Sequence, residues 1–180
     1  LSAKKNHYMG IMITASHNDH TYNGVKIVDT TGELLLPSDE QFCVSQVNSE
    51  LSLLKEARDS KIVIGYDTRP SSITIKEILI ETLQSVDSSC LIEDIGLCTT
   101  PQLHYYVMKI NCGLELDYYS YHFEEVSKFS NLDFQIYVDC ANGVGSVAMF
   151  KLLDWKYLSN LRLINTGTFI PELLNHQAGS

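Results

Sequence analysis

The sequence predicts an α/β fold: a mixed, largely parallel sheet covered by helices, followed by an incomplete second α/β domain. Three observations carry this expectation. Short apolar runs of strand length recur at residues 11–13, 61–66, 90–95 and 134–138, each stopping at a small or polar loop. A helical segment follows the last three of these loops, and strand, loop, helix in alternation is the pattern of parallel βαβ units. The first run departs from it, because Asn23-Gly24 is a tight-turn signal that folds Val25-Lys26-Ile27-Val28 back as a hairpin. One antiparallel neighbour makes the sheet mixed.

Taken in order, the hairpin is followed by a turn at Asp29-Thr30-Thr31-Gly32 and a short strand at residues 33–36. Ser38 then reads as the N-cap of a helix reaching about Arg58, with Gln41 as its capping-box partner and acids in its first turn. Phe42, Val44, Val47, Leu51 and Leu54 recur at near-helical spacing and predict one buried stripe. Residues 61–66 form the continuous apolar run of a doubly covered strand. Ser71 or Ser72 caps the next helix, whose stripe is Ile75, Ile78, Leu79, Leu83 and Val86.

The unit repeats with a strand at 90–95, a loop at 96–100, and a helix from Pro101 to about Asn111 with Thr100 as its cap. A more polar helix over 117–129 carries Tyr118, Tyr119, Tyr121 and Phe123, an aromatic group suited to packing. Residues 130–133 mark the domain boundary. A strand at 134–138, a helix over 146–154 and a strand at 161–164 then make one further βαβ unit, too small to be stable unless it leans on the first domain.

Composition narrows the function. With 13 Lys+Arg against 22 Asp+Glu the net charge is -9 and the pI near 5.0, opposite in sign to a nucleic-acid binder. An anionic substrate is repelled at long range, so local cations such as Lys26 and Arg69 have to gather at its site. Five cysteines without a C-x-x-C pair argue against a disulfide framework or zinc knuckle and for reduced core thiols. No apolar run approaches the ~20 residues that span a bilayer, and residues 1–9 lack a signal-peptide core. A cytoplasmic location without nucleic-acid or membrane partners is expected. Leu1 in place of Met suggests a fragment.

The chemistry centres on Thr14-Ala15-Ser16-His17-Asn18, which delivers a hydroxyl to a strand end, where open α/β sheets bind ligands. A serine there is by default a turn former. No G-x-S-x-G elbow surrounds it, and His17, as its immediate neighbour, is poorly placed to activate it. His17 and His20 lack a nearby third ligand for a metal. Lys26 reads either as a hairpin charge facing water or as a fixed cation, and Asp67 with Arg69 as a turn ion pair. Gly143-Val144-Gly145 lacks the third glycine of a dinucleotide loop.

Thr14-Ala15-Ser16-His17-Asn18, four residues, then Asn23-Gly24-Val25-Lys26 resembles the active-serine loop of the α-D-phosphohexomutase superfamily. Residues 64–72, 99–105 and 138–145 resemble, in order, segments of its acetylglucosamine-phosphate branch. The resemblance runs over nearly the whole chain. It makes residues 1–130 the family's first domain without its start, and 131–180 the beginning of the second.

The resemblance implies an isomerase that moves a phosphoryl group between the 6- and 1-hydroxyls of N-acetylglucosamine phosphate, on the way to UDP-N-acetylglucosamine. Phospho-Ser16 is the donor and a 1,6-bisphosphate the intermediate. His17 serves as proton relay, and Lys26 contacts the transferring group. Asn18 and Arg69 bind substrate or phosphate. Mg²⁺ sits against Ser16 through its phosphate, with aspartate ligands that lie beyond Ser180. Without those parts the chain alone is expected to be inactive. Asp19 departs from the family's proline, and Tyr22 matches the mannomutase and glucomutase relatives. A non-catalytic remnant, one of those relatives, and a hydrolase-like serine enzyme remain the alternative readings.

Overall fold

The computed structural model describes residues 6–47, 59–128, 133–153 and 159–178. Its first unit is a four-stranded sheet in the order β2-β1-β3-β4, formed by β1 (Met9–Ile13), β2 (Val25–Val28), β3 (Lys61–Tyr66) and β4 (Leu91–Leu97). β1 pairs antiparallel with β2 and parallel with β3, and β3 runs parallel to β4. The sheet is mixed and largely parallel.

Side chains alternate along a strand, so each face collects every second residue. Met12, Val28 and Val63 join Cys98, Leu103 and Val107 on the face covered by α3 (Thr100–Cys112). Ile11, Ile13 and Ile64 meet Ile75, Leu79, Ile80 and Leu83 of α2 (Ser71–Val86) on the other. Close approach explains one glycine: a β-carbon on Gly65 would lie 2.4 Å from the Cys98 sulfur.

Several local expectations are corrected. Residues 33–36 form no strand; Leu34 makes one isolated bridge to Val28 and is exposed, because the turn closed by Asp29 and Glu33 leaves only that contact. α1 (Pro37–Val47) starts at the proline rather than behind a Ser38 cap, and the Leu36 carbonyl accepts from Asp39 and Glu40. Phe42 and Val44 are exposed instead of buried, since α2 and α3 already cover both sheet faces. The rest of that predicted helix, with Leu51 and Leu54, lies outside the described residues, as does the 130–132 stretch of the predicted boundary.

Neither Ser71 nor Ser72 caps α2, whose N-cap position is Pro70. α3 begins one residue early: Gln102 Oε1 accepts from the Thr99 N–H at 2.8 Å and from its hydroxyl at 3.1 Å, so Thr99 is the cap. Of the five free thiols, Cys98 and Cys140 are buried, whereas Cys112 is exposed at the end of α3.

The second unit is a parallel pair, β5 (Ile136–Asp139) and β6 (Leu161–Ile164), joined through α5 (Val144–Leu153) and followed by a 3-10 turn at Pro171–Leu173. It leans on the first unit through α4 (Tyr118–Ser127). The Tyr119 hydroxyl accepts from Gln102 Nε2 at 2.9 Å and donates to the Ala148 carbonyl at 3.1 Å. Tyr118 packs edge-to-face and Tyr121 at a tilt against Tyr105 of α3, with ring centroids 5.7 and 5.0 Å apart.

Candidate active site

β1 ends at Ile13, and the chain makes a loop before returning as β2. The Thr14 N–H donates to the Gly24 carbonyl at 2.9 Å and closes the base of that loop. Inside it Ser16 adopts φ 57°, a left-handed conformation in which a β-carbon is crowded. Such a residue persists only where its surroundings hold it.

Those surroundings start at Asp67, the residue after β3. Its N–H donates to the Ile13 carbonyl at 3.1 Å, which ties the two strand ends together. Its carboxylate accepts the Thr14 hydroxyl at 2.7 Å, the Arg69 N–H at 3.0 Å and the Ser72 hydroxyl at 3.0 Å, and pairs with the Arg69 guanidinium. Asp67 is 4% exposed and Arg69 3%, so this ion pair is out of water. The Thr14 oxygen also accepts the Ser16 N–H at 3.1 Å. Ser72 is diverted from capping to this network, and Asn23 Nδ2 donates to both Ser71 and Ser72.

Arg69 reaches onward. Its Nη2 donates to the carbonyls of Ser16 at 3.2 Å and Asn18 at 2.5 Å. The guanidinium therefore holds the loop's backbone instead of extending freely toward a ligand, while its buried Nε has no hydrogen-bond partner among the described residues. Asn175, from the far end of the chain, donates through Nδ2 to the same two carbonyls at 2.9 and 2.7 Å.

Ser16 lines a cleft of about 240 Å³ between the two units. One wall is Met12, Thr14, Asp67 and Arg69; the other includes Cys140, Gly143, Val144, Gly145, Leu174 and Asn175. Thr99, Thr100 and Pro101 at the start of α3 complete it, so the N-terminal ends of α3 and α5 both open onto the cleft. Unpaired N–H groups and the helix dipole make such ends favourable for anions. That local field works against the net charge of -9.

The structure thus gathers Ser16, Arg69 and the Asn18 backbone. Lys26 lies opposite Met12 in the hairpin register and is half-buried, but Met12 lines the cleft and Lys26 does not. His17 and the Asn18 side chain are exposed. Burial pushes the Cys140 thiol above its ordinary range, so this lining group is a neutral wall.

Magnesium finds few ligands here. Asp67 spends its carboxylate on Thr14, Arg69 and Ser72, and among the described residues no three His, Cys, Asp or Glu side chains come together. A hard cation needs several oxygens, and these residues do not fit it beyond the Ser16 hydroxyl.

Sequence reasoning missed the Thr14 to Asp67 link, the positive φ at Ser16, and Asn175. A Thr two residues before the serine and an Asp at the end of β3 were visible signals for the first. Nothing local signalled the third, which lies 159 residues from its partner.

A family model described as phosphoglucomutase/phosphomannomutase, alpha/beta/alpha domain I, matches residues 1–53 and 47–116. Phosphoacetylglucosamine mutase from Sus scrofa is 37% identical over 203 residues, covering 96% of this chain and 36% of that protein. Phosphoacetylglucosamine mutase 1 of Schizosaccharomyces pombe is 35% identical, with 96% and 38% covered. A solved N-acetylglucosamine-phosphate mutase in its product complex, a member of the alpha-D-phosphohexomutase superfamily, superimposes with a TM-score of 0.78 at 33% identity, over 95% of this chain and 37% of that one. The Aspergillus fumigatus N-acetylphosphoglucosamine mutase in complex with GlcNAc-6P and magnesium gives 0.77 at 29%, over 94% and 36%. The chain spans little more than a third of the length of these relatives.

Proposed function

The chain belongs to the phosphoglucomutase/phosphomannomutase family, and from that membership we propose that Ser16 is a phosphoryl carrier for interconverting N-acetylglucosamine 6-phosphate and N-acetylglucosamine 1-phosphate. The observation that carries it is a serine held in a left-handed turn at a cleft onto which two helix N-termini open, in a chain otherwise strongly negative. An uncharged ligand needs no such convergence; a phosphate does.

In this reading a sugar hydroxyl attacks the phosphorus of phospho-Ser16. The new O–P bond forms as the bond to Ser16 Oγ breaks; the hydroxyl proton passes to His17, exposed on the same loop, and the departing Ser16 oxygen takes up a proton from solvent to become a hydroxyl. Lys26 and the starts of α3 and α5 stabilise charge on the transferring oxygens. The bisphosphate then returns its other phosphate to Ser16. Arg69 serves by holding the Ser16 and Asn18 carbonyls, so its contribution to phosphate binding is through the loop. The Asn18 side chain, exposed beside Ser16, is the remaining candidate for a substrate contact.

The acetylglucosamine branch is favoured by the relatives' names and by the loops at 66–72 and 99–105, the second of which includes the cleft residues Thr99 to Pro101. The separate sheets support residues 1–130 and 131–180 as parts of two domains. Magnesium, bound in one solved relative, would neutralise the phosphate when present; its carboxylate ligands have to come from outside the described residues. Activity is proposed for a chain that also carries the remainder of the relatives' length. No described helix is long and apolar enough to cross a membrane, and a cytoplasmic site of action is part of the proposal.

The test is transfer from a hexose 1,6-bisphosphate. Intact-mass measurement is expected to show one phosphate added, mapped to Ser16 and lost in Ser16→Ala, with mutase turnover in the longer chain abolished. A Ser16→Ala enzyme that turns over at the normal rate overturns the proposal.

A further inference from the structure

Two planar N–H₂ groups grip the same pair of carbonyls, and they come from different units. Arg69 Nη2 arrives from the first and Asn175 Nδ2 from the second, and each spends its hydrogens on the oxygens of Ser16 and Asn18. A carbonyl oxygen has two lone pairs, so this arrangement saturates both. We infer that Asn175 is a positioning residue for Ser16, and that through it the second unit sets the orientation of the serine hydroxyl at the cleft. The inference rests on Ser16 being the phosphate carrier only for its catalytic consequence; the holding of the loop stands on geometry alone.

Asn175 can act this way because it is itself fixed. It adopts φ 57°, and its N–H donates to the Ala141 carbonyl at 2.9 Å, in the loop that follows β5. Leu174 beside it is 5% exposed and packs toward Gly143, where an added β-carbon would come within 3.2 Å of its Cδ1. The amide is thus a short rigid arm from the β5–α5 loop to the Ser16 turn. Arg69 alone does not register the second unit, because its own anchor, Asp67, belongs to the first. With both donors in place, a shift of the second unit moves the turn that carries the hydroxyl.

The test compares Asn175→Ala, Asn175→Asp and the control Leu174→Ala in the longest available form of the chain. Hydrogen exchange is read at the Ser16 and Asn18 amides, whose own bonds to Thr14 Oγ1 and the Ala15 carbonyl report the turn. Phosphate uptake by Ser16 from a hexose 1,6-bisphosphate is read by mass. Loss of two neutral hydrogen bonds predicts about tenfold faster exchange and about tenfold slower uptake in Asn175→Ala. Asn175→Asp, isosteric but without donors and facing two carbonyl oxygens, is expected to be slower still. A merely structural role predicts that Leu174→Ala matches Asn175→Ala in both readings; that result, or unchanged exchange at both amides, overturns the inference. If the unsubstituted chain takes up no phosphate, the carrier reading fails while exchange still decides the positioning role. Should Asn175→Ala lose protection throughout β5 and β6, Asn175→Ser, which keeps one donor, is judged by the same criteria.

Discussion

In the first unit β1 and β3 each have a strand on both sides and a helix on both faces, and Ile13, Val63 and Ile64 are fully buried. In the second, β5 and β6 pair only with each other among the described residues, and Tyr137 and Ile164 stay exposed on them. The two units contribute to one cleft unequally. The first supplies the serine, its buried ion pair and the start of α3; the second supplies a wall and one amide. A well-packed platform beside a thinly packed wall places the Ser16 hydroxyl on the side least free to deform.

The harshest way to break this contrast is to remove the centre of the platform. Asp67→Ala leaves Arg69 charged and buried and strips Thr14 and Ser72 of their acceptor, so urea unfolding is expected to show a loss of about 3–5 kcal/mol. A loss close to zero means that the pair is not what ties the strand ends.

Paired truncations sharpen the contrast further. Leu103→Ala empties a site at 0% exposure between α3 and the sheet and should cost about 2–5 kcal/mol across the whole first unit. Leu161→Ala in β6 should stay near the low end, about 2 kcal/mol, with lost amide protection confined to β5 and β6. Equal, global losses show that the units fold as one.

The gentlest probe is acid. The Ser89 hydroxyl, then the Ser60 N–H, hold the Asp87 carboxyl down at about 2. A carboxyl whose folded value is depressed stabilises above its unfolded value, about 4, and that share is lost as pH falls toward about 2. Melting temperature is expected to drop through this window, and Asp87→Asn to flatten the drop. An unaltered profile in Asp87→Asn rules this site out as the source.

The strands and the cleft-forming loops were legible because their physics is local: apolar runs bounded by small polar residues identify β1, β3 and β5 wherever the chain goes afterwards. Helix starts were less so. Ser71, Ser72 and Thr100 all carry cap chemistry, yet Ser72 serves Asp67 and Thr99 takes the cap of α3, choices made by tertiary neighbours. Phe42 and Val44 of α1 are exposed for a related reason, since spacing shows that a helix has an apolar side but not whether a sheet face is vacant for it. At the site, Ser16 was found from its motif, while its left-handed backbone and its tether to Asn175 depend on contacts that no window of sequence contains.

The bond from Thr14 to Gly24 seals the excursion of residues 15–23 at its neck. Strand pairing between β1 and β2 resumes directly below that seal, with Ile13 opposite Val25. The exposed side chains of Asp19 and Tyr22 can therefore be exchanged without passing strain into the sheet, whereas Ser16, Asn18 and Asn23 carry the ties of the excursion to Arg69, Asn175, Ser71 and Ser72 and leave no such latitude.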